Sequence, residues 1–94
     1  MKYEWDENKS KANWKKHAVS FEEAESVFED EDAVFLYDEI HSETEDRFKI
    51  IGISMEKREL VVCHCYRSDD EVIRIISARR ATKNEIMVYE RGHE

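Results

Sequence analysis

The sequence predicts an α+β domain in which N-terminal helices and a C-terminal helix pack on an antiparallel sheet of about four strands. Two capping boxes, Ser20–Glu23 and Thr82–Glu85, indicate where two of the helices begin. Between them lie segments rich in β-branched and aromatic residues, joined by links short enough for hairpins. The chain has no proline and only two glycines, so no linker is evident and we expect one domain over residues 1–94.

The first third of the chain predicts a short edge strand and two helices. Residues 1–5 alternate aromatic with polar side chains, which is typical of a strand. Asp6 is a suitable N-cap for a helix over residues 7–17, whose lysines favour its C-terminal end. After Ser20 a second helix carries apolar residues at helical spacing. These apolar residues are Phe21, Ala24, Val27 and Phe28.

The rest of the chain predicts strands and a final helix. Residues 33–37 are apolar, and residues 38–46 form a polar connection. Three further strand-like segments cover residues 47–54, 60–66 and 72–77. The short links between them imply an antiparallel meander. The last helix begins after Thr82 and ends near Gly92, and we expect all helices on one face of the sheet.

The net charge of −8 argues against a nucleic-acid surface, because like charges repel. The distribution of charge leaves two interpretations open. Acidic residues crowd into segments 22–31 and 38–46, whereas basic residues concentrate in segments 9–16 and 67–83. A basic cleft on an acidic body is therefore compatible with the sequence, and the acidic side could receive a cationic partner.

The sequence contains no evident membrane or export segment. No apolar run approaches the ~20 residues that span a bilayer. The N-terminus lacks the basic-then-apolar pattern of a signal peptide. We therefore expect a cytoplasmic protein without membrane contact.

Cys63 and Cys65 flank His64, a trio that could suggest a metal site. Strand alternation points the two cysteines away from the histidine, so three ligands cannot converge on one ion. We expect reduced cysteines, no bound metal, and a histidine on the surface of the sheet.

Ordered motifs along nearly the whole chain resemble those of one family. Residues 5–9 (W-D-E-N-K) match a W-D-x-x-K motif, and residues 16–21 match K-H-G-V-S-F except at Ala18. Residues 73–82 (I-R-I-I-S-A-R-R-A-T) match the family's closing block, and its E-x-x-x-Y tail follows at residues 85–89. The chain thus resembles the BrnT family. Where that family usually has glycine, the Cβ of Ala18 restricts φ.

The resemblance implies a RelE-like fold and a ribonuclease that cleaves messenger RNA without a metal ion or other cofactor. Such cleavage blocks translation and arrests growth. The resemblance also implies a partner, a BrnA-type antitoxin that neutralises the toxin. That antitoxin carries the DNA-binding region, so operator DNA is reached only through it.

Metal-free cleavage of RNA needs a base for the 2′-hydroxyl proton, an acid for the leaving oxygen and cations for the pentacovalent phosphorane. We predict that Arg79 and Arg47 clamp the phosphate, because the planar guanidinium suits bidentate contact. The alternative is that they pair with Glu45 or Glu85 in structural ion pairs, which contribute little at a surface.

The catalytic base is open among His17, Lys16 and Glu45. His17 ends a lysine-rich helix, where it could instead cap main-chain carbonyls. Further residues are predicted to contact RNA. They are Lys16, Arg67, Arg74, Arg80 and Tyr89.

Strict alternation, continued along the last strand, places Arg74 and Arg79 on different faces of the sheet. It places Arg79 on the same face as Ile73 and Ile75, and Arg74 on the face shared by Ile76. One arginine would then approach the helix-covered face and the other the open face.

A non-enzymatic function is the main alternative. The chain could be a binding module, or a degenerate toxin, that only docks the antitoxin and co-represses its operon. Expression of the chain alone, with growth and RNA integrity followed, separates these functions.

Overall fold

The computed structural model describes residues 1–92, in which helices lie on both faces of a five-stranded mixed sheet. The strands are β1 (Lys2–Glu4), β2 (Val34–Tyr37), β3 (Phe48–Ile53), β4 (Glu59–Arg67) and β5 (Val72–Arg80). The helices are α1 (Glu7–His17), α2 (Phe21–Ser26) and α3 (Lys83–Arg91), and a 3-10 turn over Val27–Glu29 extends α2. The predicted α+β class is confirmed.

The strands are ordered β1-β5-β4-β3-β2 across the sheet. Strands β2 to β5 form the predicted meander, since each pairs antiparallel with the next. Strand β1 pairs with β5 in parallel orientation, with Tyr3 opposite Ile73, and it is an edge strand as its alternation predicted. Strand β2 forms the other edge.

Helices α1 and α2 cover one face of the sheet and bury the main apolar cluster. Phe21 and Ala24 of α2 are fully buried, as the predicted amphipathic helix requires. Burial of one large apolar side chain contributes about 1.5–3 kcal/mol, so this face supplies much of the stabilisation. The buried members of the cluster are Val19, Phe21, Ala24, Val27, Ile50, Leu60, Val62, Ile73, Ile75 and Ala78.

A buried asparagine joins α1 to the sheet. The side-chain amide of Asn13 donates to the carbonyls of Val19 (2.9 Å) and Ala78 (2.8 Å), and its oxygen accepts from the amide of Ala78 (3.1 Å). Because a buried polar group without partners costs free energy, these bonds fix α1 against the chain that enters α2 and against β5.

The prediction that all helices lie on one face is wrong, because α3 packs on the opposite face. Tyr89 of α3 is buried against Ile51 of β3 and Val61 of β4. Their neighbours Ile50 and Val62 point into the main core, so both faces of the central strands carry apolar side chains. Within residues 1–92, every helix is too short or too polar to traverse a bilayer.

Side-chain hydrogen bonds cap the helices where the sequence predicted their starts. Asp6, Ser20 and Thr82 each accept a hydrogen bond from the first turn of the helix that follows. The capping box at Thr82 is complete. At Ser20 only half of the predicted box forms, because the carboxylate of Glu23 turns to the β3–β4 hairpin instead.

The chain leaves α1 through Ala18, which has a left-handed backbone conformation with φ 55°. Its amide donates to the carbonyl of Trp14 at 2.9 Å and closes the helix. The residue therefore adopts the geometry that glycine favours, with the strain that a Cβ brings.

Replacing Ala18 by glycine should raise the free energy of unfolding by about 1 kcal/mol, because it removes the strain of a Cβ in the left-handed region. Urea denaturation measures the change. The matched control Ala12→Gly, in the exposed interior of α1, should lower the same quantity by about 1 kcal/mol. Equal losses in both variants would contradict the assigned conformation.

Candidate functional site

A register shift between β4 and β5 decides the orientation of the last residues of β5. Cys63 pairs with Ser77, but the next residue, His64, pairs with Ile75. Ile76 is therefore an extra residue in β5, as in a β-bulge. An extra residue reverses the alternation of every side chain that follows it.

The shift puts Arg79 on the face opposite the main core. Ile73, Ile75 and Ala78 all belong to that core, so Arg79 and Arg74 both point away from it. The prediction from strict alternation, that Arg79 shares a face with Ile73 and Ile75, is wrong because it assumes an uninterrupted ladder.

Arg79 lines a cleft of about 170 Å³ on this second face, next to the residues that α3 covers. Two more cations line it, Lys49 of β3 and Arg47, which directly precedes that strand. We call it the cationic cleft. The two arginines predicted to clamp a phosphate are thus brought to one depression. The other polar side chains that line it are Asp38, His41, Cys63 and Ser77.

Arg79 is held by a carboxylate of α3. Its Nη1 and Nη2 donate to the two oxygens of Glu85 at 2.7 and 2.9 Å, in the bidentate arrangement that guanidinium favours. This hydrogen bonding raises the pKa of Arg79 and lowers the pKa of Glu85 to about 2. Arg79 is only partly buried, so the guanidinium keeps accessible surface while it is paired.

Arg47 has hydrogen-bonding capacity that the fold leaves unused. Its Nε is buried and lies 3.5 Å from Oε2 of Glu45, an ion-pair distance without a hydrogen bond to any group in residues 1–92. The other oxygen of Glu45 lies 3.0 Å from Nη1 of Arg67. The side chain of Arg47 is 27% exposed, so part of it is accessible to an anion in the cleft, whereas Nε itself is enclosed.

Asp38 and His41 form a hydrogen-bonded pair in the cleft. The buried Oδ2 of Asp38 lies 2.8 Å from Nδ1 of the exposed His41, and the amide of His41 donates to Oδ1. Burial raises the pKa of Asp38, but the hydrogen bond from His41 and the charge of Lys49 outweigh it, so the pKa is lowered. An ionised Asp38 accepts from a protonated Nδ1, and this tautomer leaves Nε2 of His41 with a free lone pair.

Three of the predicted RNA contacts lie outside the cationic cleft. Arg67 pairs with Glu45 at the end of β4. Arg74 pairs with Glu4 of β1 at 2.6 Å. Arg80 is exposed and follows Arg79 on the strand, so it points to the face that α1 and α2 cover.

The remaining predicted residues are separated from the cleft. Lys16 and His17 end α1, which packs on the other face of the sheet, and only His17 is partly buried there. Tyr89 is buried under α3, where its hydroxyl donates to Oδ2 of Asp30 at 2.8 Å. The sheet therefore lies between the two residues of α1 and the cationic cleft, and Tyr89 is not among the residues that line the cleft.

His64 is fully buried on the face of the sheet that α1 and α2 cover, so the prediction of a sheet-surface histidine is wrong. Its Nδ1 lies 3.1 Å from the carbonyl of Val62, and burial lowers its pKa. Aromatic side chains of the 3-10 turn, β2, β3 and β4 cover this part of the sheet, which the periodicity of β4 alone does not reveal. The rings around the imidazole, with centroids at 4.8–6.2 Å, are Phe28, Phe35, Phe48 and Tyr66.

Cys63 faces the cationic cleft, opposite to His64, as the predicted alternation requires. Burial, with the charge of Asp38, raises the pKa of its thiol, so the group is protonated at neutral pH. Across residues 1–92, no three His, Cys, Asp or Glu side chains are grouped as metal ligands. That the protein works without a metal stays a prediction.

A larger depression of about 520 Å³ lies at the end of β4, but its charges suit an anion poorly. Its acidic side chains are Glu45, Asp46 and Asp70, and its cation, Arg67, is already paired with Glu45. The smaller cationic cleft is therefore the better candidate for binding a phosphate.

Sequence reasoning missed Asp38, His41 and Lys49. The first two lie in the polar segment 38–46, which resembles a solvated loop. The available signal was a D-x-x-H spacing directly after a strand, since three residues allow a side-chain bond across one turn. Lys49 lies two residues after Arg47, which puts both on one face of β3.

Comparisons with known proteins agree with the motifs. A family model described as "Ribonuclease toxin, BrnT, of type II toxin-antitoxin system" matches residues 5–85. The 1.1 Å crystal structure of the Brucella abortus ribonuclease toxin BrnT is similar to this chain, with a TM-score of 0.66 and 26% sequence identity. The match covers 88% of this chain and 99% of that one. No curated protein matches the chain.

The variant Glu85→Gln should make stability less dependent on acid pH. The folded-state pKa of Glu85 is about 2, below the value of an unfolded glutamate, so its ionised form stabilises the fold above about pH 4.5 and this contribution is lost as the pH falls toward 2. Urea denaturation at several pH values measures it. Glutamine at this position keeps the capping box.

The control Glu90→Gln removes one exposed negative charge from the same helix. If the stability difference between the parent chain and Glu85→Gln is the same at pH 7 and pH 3, the ion pair does not contribute as described.

Proposed function

Because the chain belongs to the BrnT family of type II ribonuclease toxins, we propose that it cleaves RNA at the cationic cleft. One observation carries the proposal. Three cations and a carboxylate-bound imidazole, from β3, β5 and the segment after β2, line one depression. This combination suits a metal-free attack on a phosphodiester.

The arginines are the proposed phosphate ligands. Carboxylates hold both side chains at the cleft: Glu85 binds Arg79 without enclosing its guanidinium, and Glu45 lies 3.5 Å from Arg47, whose side chain is 27% exposed. Both therefore meet the scissile phosphate with little reorganisation. Negative charge grows on the phosphoryl oxygens as the phosphorane forms, so such fixed donors bind the transition state more strongly than the substrate.

His41 is the proposed general base. Its Nδ1 is occupied by Asp38, and its Nε2 is available in an exposed ring beside the cations. We favour it over His17 and Lys16 because those residues lie behind the sheet. Glu45 is assigned to positioning Arg47 rather than to proton transfer.

In the proposed reaction the 2′-oxygen attacks the adjacent phosphorus and its proton passes to Nε2 of His41. The P–O5′ bond breaks, and the leaving O5′ takes a proton from the ammonium of Lys49. The products are a 2′,3′-cyclic phosphate and a 5′-hydroxyl. Protein cations supply the charge stabilisation, so the scheme needs no metal or cofactor.

The biological setting we propose follows the family. Cleavage of messenger RNA would block translation and arrest growth, and a BrnA-type antitoxin would neutralise the toxin and connect it to operator DNA. Arg67 and Arg74, on the same face as the cleft, are proposed to contact flanking phosphates.

A docking protein without nuclease activity is the second candidate. The observation that favours it is that Arg79 and Arg47 already have carboxylate partners, Glu85 and Glu45. On that account the arginines hold the fold together, and any growth defect comes from binding alone.

Replacing Arg79 or Arg47 by alanine should slow RNA cleavage about 10²–10³-fold, as expected for loss of a donor to the transition state. Single-turnover cleavage of labelled RNA by purified toxin in EDTA measures the rate. Glu85→Gln is the matched control, because it disrupts the same ion pair but keeps the guanidinium. Full cleavage by both alanine variants would favour the docking protein.

The variant His41→Ala should slow cleavage about 10²–10⁴-fold, the usual contribution of a general base. It should also abolish the fall in cleavage rate at acid pH, which would persist if His41 had only a structural role. His17→Ala, the control, should cleave at the parent rate. A fall in rate at acid pH that is retained in His41→Ala would assign the base elsewhere.

A further inference from the structure

Strand β2 leaves one side of its backbone open. It pairs with β3 on one side and is the last strand in the sheet order, so no strand covers its outer side within residues 1–92. The amide of Asp38 donates to the carbonyl of Arg47, its partner on the β3 side. Antiparallel alternation then directs the main-chain groups of Leu36 toward β3, and those of Phe35 and Tyr37 outward.

The open edge is apolar. Phe35 is 55% exposed and Tyr37 is 51% exposed, and Ile40 in the following turn is 78% exposed. Natural edge strands usually carry a charged side chain, a proline or a bulge that prevents further pairing. Strand β2 has the sequence V-F-L-Y and none of these features.

Acidic residues surround this edge. Residues 29–46, which contain β2 at their centre, include nine acidic residues and no lysine or arginine. Two of the nine are engaged at the cleft, Asp38 with His41 and Glu45 with Arg47 and Arg67, and six of the others are exposed. A second copy of the chain would bring the same acidic segment to the edge, so charge disfavours self-pairing and favours a basic occupant.

We propose that the antitoxin neutralises this toxin by adding a basic, extended segment to the outer edge of β2. Its main chain would bond with Phe35 and Tyr37, its apolar side chains would cover the exposed rings, and its cations would face the acidic rim. The inference rests on the toxin–antitoxin assignment for the identity of the partner.

Docking at this edge would also reach the cationic cleft. The segment that follows β2 carries Asp38 and His41, which line the cleft. An added strand that runs along β2 would lie against this segment and restrict the approach of RNA. Neutralisation would then follow without any antitoxin residue entering the cleft.

A proline at an outward-facing amide tests the proposal. Tyr37→Pro removes a hydrogen-bond donor that β3 does not use, and edge strands tolerate proline there. Tyr37→Ala is the matched control, because it loses the same side chain and keeps the amide. Against the purified cognate antitoxin, calorimetry should give about tenfold weaker binding for Tyr37→Pro than for Tyr37→Ala, the equivalent of one lost hydrogen bond.

A charge variant gives a second measurement should the proline disturb folding. Glu31→Lys with Glu39→Lys reverses charge at both ends of β2 and should weaken binding about tenfold or more at low salt. Glu56→Lys with Glu71→Lys makes the same change of net charge at exposed sites elsewhere and should have little effect.

Three results would overturn the docking site: equal affinity for the proline and alanine variants, equal affinity for the two charge variants, or dimers of toxin alone that Tyr37→Pro dissociates. The last would identify a second copy as the occupant. RNA cleavage by Tyr37→Pro alone should match that by Tyr37→Ala. A toxin that binds antitoxin as expected but never cleaves RNA would refute the nuclease and leave this surface standing.

Discussion

The extra residue in β5 is the constraint on which the site depends. If Ile76 were paired in a regular ladder instead of forming a bulge, strict alternation would turn Ala78 outward and bury Arg79 among the apolar residues beneath α1 and α2. An unpaired guanidinium there would cost several kcal/mol. With the bulge, Ala78 meets Asn13 while Arg79 reaches Glu85 and the cleft. One irregular pairing thus satisfies the core and supplies a cation to the opposite face.

The protein combines a strongly acidic composition with a cationic cleft by distributing its charges. The cations of the cleft lie on the central strands, and carboxylates from the flanking segments hold the arginines in place. Paired arginines lose less conformational entropy when a ligand arrives, because their side chains are already ordered. Six of the nine acidic residues in segment 29–46 are exposed on either side of β2, and none of these six lines the cationic cleft.

Much of the fold could be predicted from local signals, and the site only in part. The caps at Asp6 and Thr82 predicted two helix starts, and the periodicity predicted the strands, because these features depend on only a few neighbouring residues. The parallel pairing of β1, the crossing of α3 to the second face and the burial of His64 depend on contacts between distant segments. Arg47 was predicted from its chemistry and lines the cleft, whereas Asp38, which also lines it, was missed because its acidic segment resembles a solvated loop.

Asn13 makes one cooperative unit of segments that are far apart in sequence. If α1 detached alone, the main-chain groups of Ala78 and the carbonyl of Val19 would lose their buried partners together. Opening of α1 is therefore expected to loosen β5 beside Arg79. The slowly exchanging amides of α1 and β5 are therefore expected to share one opening free energy. Packing of α1 thus maintains the position of Arg79, although α1 makes no contact with the cleft.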